Sequence, residues 1–249
     1  MIIFIMGFIN IPSIGQKIYP VTSGEMIFSQ GKASFTDEFL SQYPDAKLVA
    51  NNVRYTIFLH IGQYFHCDFT NNFGLFTGLA IRNVGMITDE TLPQTVSTTN
   101  AYPYVNYNIC RRQYMLGVPL ALKLGSFKNH LYFFGGGEYE VAFHLKEKYW
   151  TDSFDRSGPK TKSMEWFSSQ TPTFMPSVFV GVQFPRGVNL KFKYYLTDFL
   201  NTDYTVSGNS QEGTSFSISD QSRYKSSQLV YFSLCWQFDT SSLWDWDQK

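Results

Sequence analysis

The sequence predicts an all-β fold, an eight-stranded antiparallel up-and-down transmembrane β-barrel, and three observations lead to this prediction. About eight segments alternate apolar and polar residues with a period of two, as strands do when one face meets lipid and the other a lumen. Tight turns alternate with long polar connections along the chain, as expected for short periplasmic turns and long extracellular loops. No internal run reaches the roughly 18–20 apolar residues that a membrane-spanning helix needs.

The composition narrows the class of protein further. The 249 residues are 18% aromatic and 16% charged, with 20 Lys and Arg against 20 Asp and Glu. A chain without net charge is not expected to bind nucleic acid. Cys67, Cys110 and Cys235 are odd in number and widely spaced, so they indicate no disulfide framework and no metal-binding pair.

The N-terminal segment predicts export. Residues 2–14 form an apolar stretch too short to span a bilayer as a helix, and small residues precede a cleavage point after Gly15. The predicted organisation is a signal peptide over 1–15, a barrel over 16–238 and a short periplasmic tail over 239–249. The alternative for the first segment is a buried first strand.

The strands are predicted from the alternation itself. Val53–Asp68 is expected to be one continuous strand, and Tyr114–Leu124 a second with alternate Leu and Val residues toward lipid. Pro119 lacks a backbone N–H, so a bulge is expected there. In the segment that starts at Leu131, we expect Leu145 to face lipid. The side chains expected in the lumen include His144 and Lys146.

The connections support an even number of strands. Long polar connections are expected at 34–52, 89–106, 147–171 and 204–224, and tight turns near 69–72, 126–129 and 185–187. An even count places both termini on the side of the tight turns, the periplasm. A soluble β-sandwich is the alternative, because alternation marks any half-buried sheet. The export signal and strands longer than the usual five or six residues favour the barrel.

Three segments resemble the PorT-like outer-membrane β-barrel family. They are Tyr114–Gly125 (YMLGVPLALKLG), Gly135–Tyr139 (GGGEY) and the aromatic last strand Val230–Phe238 (VYFSLCWQF). The resemblance covers roughly residues 20–238. It implies an eight-stranded barrel in the outer membrane, in a family with some members linked to protein secretion. The chain departs from the family in continuing eleven residues beyond Phe238.

No catalytic residue, metal site or cofactor is predicted. His60 and His66 lie six residues apart on one strand, about 20 Å at 3.3 Å per residue, too far to share a metal ion. No motif of a serine hydrolase, zinc enzyme or phosphate-binding loop is present. A site hidden among loop Ser, His and Asp residues at the outer rim, acting on lipid or peptide, remains an alternative.

Charged residues at lumen-facing positions form the most distinctive set. An eight-stranded barrel has an interior just wide enough to be filled by side chains, so buried charges there must be paired or solvated. We expect a salt-bridge network, and the alternative is a narrow polar pathway. The residues are Glu138, Glu140, Lys123, Lys191, Lys193 and Arg82.

Aromatic residues supply the remaining predicted sites. Trp150, Trp166 and Phe167 lie in a long connection and are candidates for partner binding, with membrane-interface anchoring as the alternative. The terminal strand is expected to close the barrel, through Phe232, Trp236 and Phe238. The resulting hypothesis is a non-enzymatic scaffold in the outer membrane of a Gram-negative bacterium, in contact with outer-membrane lipid and a protein partner. The first alternative is a narrow channel for small solutes.

Overall fold

The computed structural model describes residues 17–93, 104–205 and 218–240. The predicted signal peptide over 1–15 and all but the first two residues of the predicted tail lie outside these ranges. None of the helices in them is long and apolar enough to cross a membrane. The elements are β1 (Lys17–Phe35), α1 (Asp37–Gln42), β2 (Lys47–Asn52), β3 (Arg54–Thr56), β4 (Ile61–Asp68), β5 (Phe73–Pro93), β6 (Tyr104–Ser126), β7 (Leu131–Thr151), β8 (Lys160–Trp166), β9 (Phe174–Gln183), β10 (Val188–Tyr195) and β11 (Tyr224–Asp239).

Eight of these strands form a closed antiparallel ring, which confirms the predicted barrel. The order around the ring is β1, β4, β5, β6, β7, β9, β10 and β11, and β11 pairs with β1. At this seam Phe232 lies opposite Phe28, Trp236 opposite Gly24 and Phe238 opposite Thr22. The other three strands pair with strands of the ring near the end of the barrel that carries the long connections. β2 pairs with β5, β3 with β1, and β8 with β7.

A belt of exposed apolar side chains surrounds the ring. On β6 the row from Leu116 to Leu124 covers nine residues, which matches the 9–11 residues that a tilted strand needs to cross a membrane. An exposed apolar surface that runs around the whole barrel marks a contact with lipid. The belt includes Ile61, Phe65, Leu79, Ile81, Leu116, Val118, Leu120, Leu122, Leu124, Phe133, Tyr139, Val178, Val180, Phe192, Phe232, Trp236 and Phe238.

Three strands continue far beyond the belt on the side of the long connections. β5, β6 and β7 contain 21, 23 and 21 residues, respectively, about twice the length that crosses a membrane. The expectation of long loops at 89–106 and 147–171 is therefore wrong in part. β5 runs to Pro93, and the later segment holds the end of β7 together with all of β8.

The predicted single strand Val53–Asp68 is interrupted. Thr56 lies opposite Ile27 and Ile61 opposite Gly24, so four residues of this segment face only two of β1. The extra residues form a turn in which Leu59 has a φ of 59°. The number of extra residues is even, so the facing of the strand below the turn is preserved.

One extra residue in β7 reverses the facing of its upper half. Tyr114 lies opposite His144 and Met115 opposite Ala142, so Phe143 is a bulge. Beyond it Leu145 is buried in the lumen, whereas His144 and Lys146 are on the outer face. The expected facing of these three residues is therefore wrong.

The bulge expected at Pro119 does not form. Thr77 lies opposite Leu120 and Ala80 opposite Gly117, so the register is unchanged across the proline. Because Pro119 has no backbone N–H, the strand pairing is incomplete at this position, but neither strand contains an extra residue. The side chain of Thr77 donates a hydrogen bond to the Pro119 carbonyl at 2.7 Å.

Gly136 lies where β6 approaches too closely for a side chain. A Cβ at this position would come within 2.0 Å of the Leu120 carbonyl oxygen. We expect Gly136→Ala to lower the free energy of unfolding by about 1–3 kcal/mol, the usual cost of overpacking, measured by urea unfolding in detergent. The matched control is Gly137→Ala, whose Cβ would be 3.6 Å from the nearest atom. Equal stability of the two variants would contradict the close approach.

Candidate functional site: the filled lumen

Arg82 lies at the centre of a buried network inside the ring. Its Nε pairs with Glu25 at 3.0 Å, and its Nη1 pairs with Glu138 and, at 3.3 Å, with Glu140. Its Nη2 donates a hydrogen bond to the hydroxyl of Tyr64 at 3.0 Å. The guanidinium therefore joins strands β1, β4, β5 and β7 across the lumen.

Two lysines of β10 complete the network. Lys193 Nζ pairs with Glu138 at 2.9 Å and with Glu140 at 2.6 Å, and Lys191 Nζ pairs with Glu25 at 2.7 Å. Three carboxylates thus meet three cations, and the network has no net charge. All six side chains are buried. Charges in such a place are tolerated when each has a partner and its hydrogen bonds are made.

The network contains five of the six lumen charges that the sequence indicates. Lys123 lies apart, near the periplasmic end, where it pairs with Asp68 and its Nζ is 3.1 Å from His66 Nδ1. Glu25 is the member that the sequence did not indicate. Its position in the lumen could have been predicted from the alternation of β1, because Ser23, Glu25 and Ile27 all face the lumen.

An aromatic layer closes the lumen between the network and the periplasmic end. The ring centroid of Phe76 is 5.8 Å from that of Phe134, 6.3 Å from that of Phe179 and 5.7 Å from that of Tyr64. Between this layer and Arg82 a space of about 20 Å³ remains. That is room for about one water molecule. In the described ranges the lumen is therefore filled by side chains at this level.

A second buried charge cluster lies beyond the belt, on the side of the long connections. Glu90 pairs with Arg223 at 3.2 Å and Arg111 at 3.5 Å, and Arg111 pairs with Glu147 at 2.7 Å. Burial alone would raise the pKa of Glu90, but Arg223 and Arg111 lower it below its ordinary value. The hydroxyl of Tyr224 also donates to this carboxylate. The extended part of the barrel is thus closed by paired charges as well.

The periplasmic end holds an open vestibule. Its volume is about 840 Å³, and the residues around it include Lys17, Tyr19, Asp68 and Arg186. Two of the lining residues contact Lys123: Asp68 pairs with it, and the ring centroid of Phe127 is 4.6 Å from its Nζ.

The described residues offer no arrangement for nucleophilic or metal-assisted catalysis. His60 Nδ1 accepts a hydrogen bond from the backbone N–H of Asn83 at 3.2 Å, so in the neutral ring Nε2 carries the proton toward Thr56. That ring cannot act as a base for the Thr56 hydroxyl. Among the residues that the structure describes, no serine or cysteine is hydrogen-bonded to a histidine, and no group of three or more His, Cys, Asp and Glu could hold a metal ion.

The candidate partner-binding aromatics lie on the outer surface. Trp150 has Arg156 at 5.3 Å and Lys160 at 5.6 Å from its ring centroid. Trp166 stacks on Phe143 at 6.0 Å, and Phe167 beside it is 69% exposed. Trp166 lies at the upper limit of the belt, where aromatic side chains of membrane barrels form a girdle.

A closed antiparallel ring with an apolar belt of membrane-crossing height is the architecture of bacterial outer-membrane barrels. The protein is therefore a small outer-membrane β-barrel, and the predicted location in the outer membrane of a Gram-negative bacterium follows from this architecture. The prediction of the PorT-like family is a finer one and stays a prediction. No family model matches the chain, and no curated protein matches it.

Several solved structures show a distant likeness to the chain. Ail, the attachment invasion locus protein of Yersinia pestis, is 11% identical with a TM-score of 0.32, over 89% of this chain and 98% of Ail. The complex of Ail with the heparin analogue sucrose octasulfate is 9% identical with a TM-score of 0.33, over 88% and 99%. The outer membrane protein OprG from Pseudomonas aeruginosa is 10% identical with a TM-score of 0.35, over 90% and 96%. At such values the likeness carries no argument about function.

Proposed function

We propose that the protein is a non-conducting, non-enzymatic scaffold of the outer membrane, which holds its extended loop end outside the cell for contact with a protein partner. The main observation in support of this proposal is that side chains fill the lumen. Paired charges occupy two levels of the barrel interior, and aromatic rings occupy a third. A continuous water path would need space that these side chains occupy.

The extended strands support the contact function. β5, β6 and β7 continue well beyond the belt, and their lumen-facing charges are paired, which favours a stiff extension over a mobile one. A rigid surface loses little conformational freedom when a partner binds. A role in a secretion or envelope assembly is the form of this proposal that the family resemblance suggests.

Conductance in planar bilayers tests the proposal. We expect no ion-conducting steps from the purified, refolded protein, because the network around Arg82 and the aromatic layer at Phe76 close the lumen. The control is a double variant, Phe76→Ala with Phe134→Ala, which opens the aromatic layer but leaves the charge network. It is also expected not to conduct. Regular, reproducible steps from the unmodified protein would overturn the scaffold proposal in favour of a narrow channel.

A further inference from the structure

The outer wall of the barrel carries a cluster of cations just above the lipid belt. The Phe143 bulge turns Lys146 and Lys148 outward, and the pairing of strands places other cations beside them. Lys146 lies opposite Arg112, and Lys148 lies opposite Lys162. Arg54 lies beside Arg112. We call this surface the outer basic face; its members are Arg54, Arg112, Lys146, Lys148, Lys160 and Lys162.

Asp89 of β5 is an outward-facing carboxylate near the outer basic face, and its oxygens accept hydrogen bonds from Asn52 and Asn108. None of its six members forms an ion pair with a described residue. Two carboxylates of the same strands point away: Glu147 pairs with Arg111 in the lumen, and Glu165 accepts hydrogen bonds from Ser168 and Gln170 on the opposite face of β8. Partial burial, together with the charges of Arg112 and Lys160, lowers the pKa of Lys148 below its ordinary value.

Two buried guanidinium nitrogens of this face have unused hydrogen-bonding capacity. Arg54 is only 4% exposed, and both its Nη atoms donate to Asn83, at 3.1 and 2.7 Å. The Nε atoms of Arg54 and Arg112 are buried and have no hydrogen-bond partner among the described residues. Buried donors without a partner are uncommon. Because both nitrogens are closed to solvent, they add positive charge beneath the face and are not themselves contact points for a ligand.

The height of the face on the barrel matches the polar headgroups of the membrane. Tyr114, His144 and Trp166 form an aromatic group directly below it, with ring centroids 5.3 Å apart for the first pair and 4.7 Å for the second. Arg112 lies four residues beyond Leu116, which is about 9 Å further from the membrane centre for a strand that rises 3.3 Å per residue and is tilted by about 45°. The headgroup layer begins at this height.

From these observations we propose that the outer basic face binds the phosphate groups of a phosphorylated glycolipid in the outer leaflet, of the lipopolysaccharide type. The cations would contact the phosphates, and the apolar row of Leu116 and Val118 directly below would contact the acyl chains. A soluble polyanion would use the cations only. The continuity of basic face, aromatic group and apolar belt therefore favours a lipid. The proposal rests on the location in the outer membrane and does not depend on whether the lumen conducts.

Binding of purified lipopolysaccharide to the refolded protein in detergent tests the proposal. The variant is the triple substitution Lys146→Gln, Lys148→Gln and Lys162→Gln. The control, Lys32→Gln with Lys47→Gln and Lys128→Gln, removes the same charge from exposed sites elsewhere. Each lysine near an anionic surface contributes about fivefold in affinity. We therefore expect the Kd to rise at least about tenfold for the variant and less than about twofold for the control.

Two further probes identify the group that is bound. Lipopolysaccharide from which the phosphates have been removed is expected to bind the unmodified protein as weakly as the intact lipid binds the triple variant. Inorganic polyphosphate is expected to compete only weakly, because it has no acyl chains. Equal losses for variant and control, unchanged binding of the dephosphorylated lipid, or polyphosphate binding as tight as that of the lipid would each overturn the proposal. Circular dichroism checks that both triple variants are folded.

Discussion

Replacing Glu138 and Glu140 together by glutamine is expected to lower the free energy of unfolding of the barrel by about 3–5 kcal/mol, the usual cost of leaving buried charges unpaired. Lys193 would lose both of its carboxylate partners, and Arg82 would keep only Glu25. Both cations are buried, so water cannot replace the lost partners without opening the lumen. Urea unfolding of the refolded protein, followed by tryptophan fluorescence, measures the change.

The control for this experiment is an ion pair of similar chemistry in an exposed place. Lys225 and Asp37 pair at 3.0 Å with both side chains largely exposed. Lys225→Gln should therefore cost no more than about 1 kcal/mol. A double glutamine variant that stays as stable as this control, and that conducts with altered ion selectivity, would indicate a wet pore. The scaffold proposal would then be abandoned.

A basic residue at the middle of the belt is expected to have the second large effect. Leu120 lies at the centre of the lipid-facing row of β6, and Phe192 lies at the corresponding position of β10. Arginine near the membrane midplane costs about 2–4 kcal/mol in a barrel of this kind. Leu120→Arg and Phe192→Arg should each lower stability by this amount and reduce insertion into lipid vesicles.

The matched control is an arginine at an exposed position above the belt. Gln30 of β1 is such a position, and Gln30→Arg is expected to change stability by less than about 0.5 kcal/mol. If Leu120→Arg inserts as well as Gln30→Arg, the assignment of the belt is wrong.

The alternation of residues predicts the ring well where lipid is on one side and a polar lumen on the other. The eight strands and the tight turns follow from that contrast. Beyond the belt the contrast is weaker, because the interior mixes buried apolar side chains such as Val84 and Met86 with polar ones, and the outer face is no longer apolar. Thr88 and Glu90 face the lumen while Asp89 and Thr91 face outward, so this part of β5 has the composition of a loop. For that reason the extensions of β5, β6 and β7 could not be predicted.

The candidate site, like the fold, could be predicted from the sequence only in part. Even spacing predicts that Glu138, Glu140 and Arg82 face the lumen, but it does not predict which of them meet. Contacts across the ring depend on the tilt and stagger of strands that are not neighbours in sequence. The outer basic face could not be predicted at all. A single extra residue, Phe143, moves Lys146 from the expected lumen to the surface, and nothing in the local sequence marks that bulge.

Closure of the ring between β1 and β11 and compensation of the buried charges are expected to depend on each other. Glu25 on β1 finds its partners on β5 and on β10, so its charge is compensated only after strands from both halves of the chain have come together. A nascent barrel that lacks its last strands must keep these charges in contact with water. Ring closure and dehydration of the interior are therefore expected to occur in one cooperative step, and partly closed intermediates should stay at the membrane surface until that step is complete.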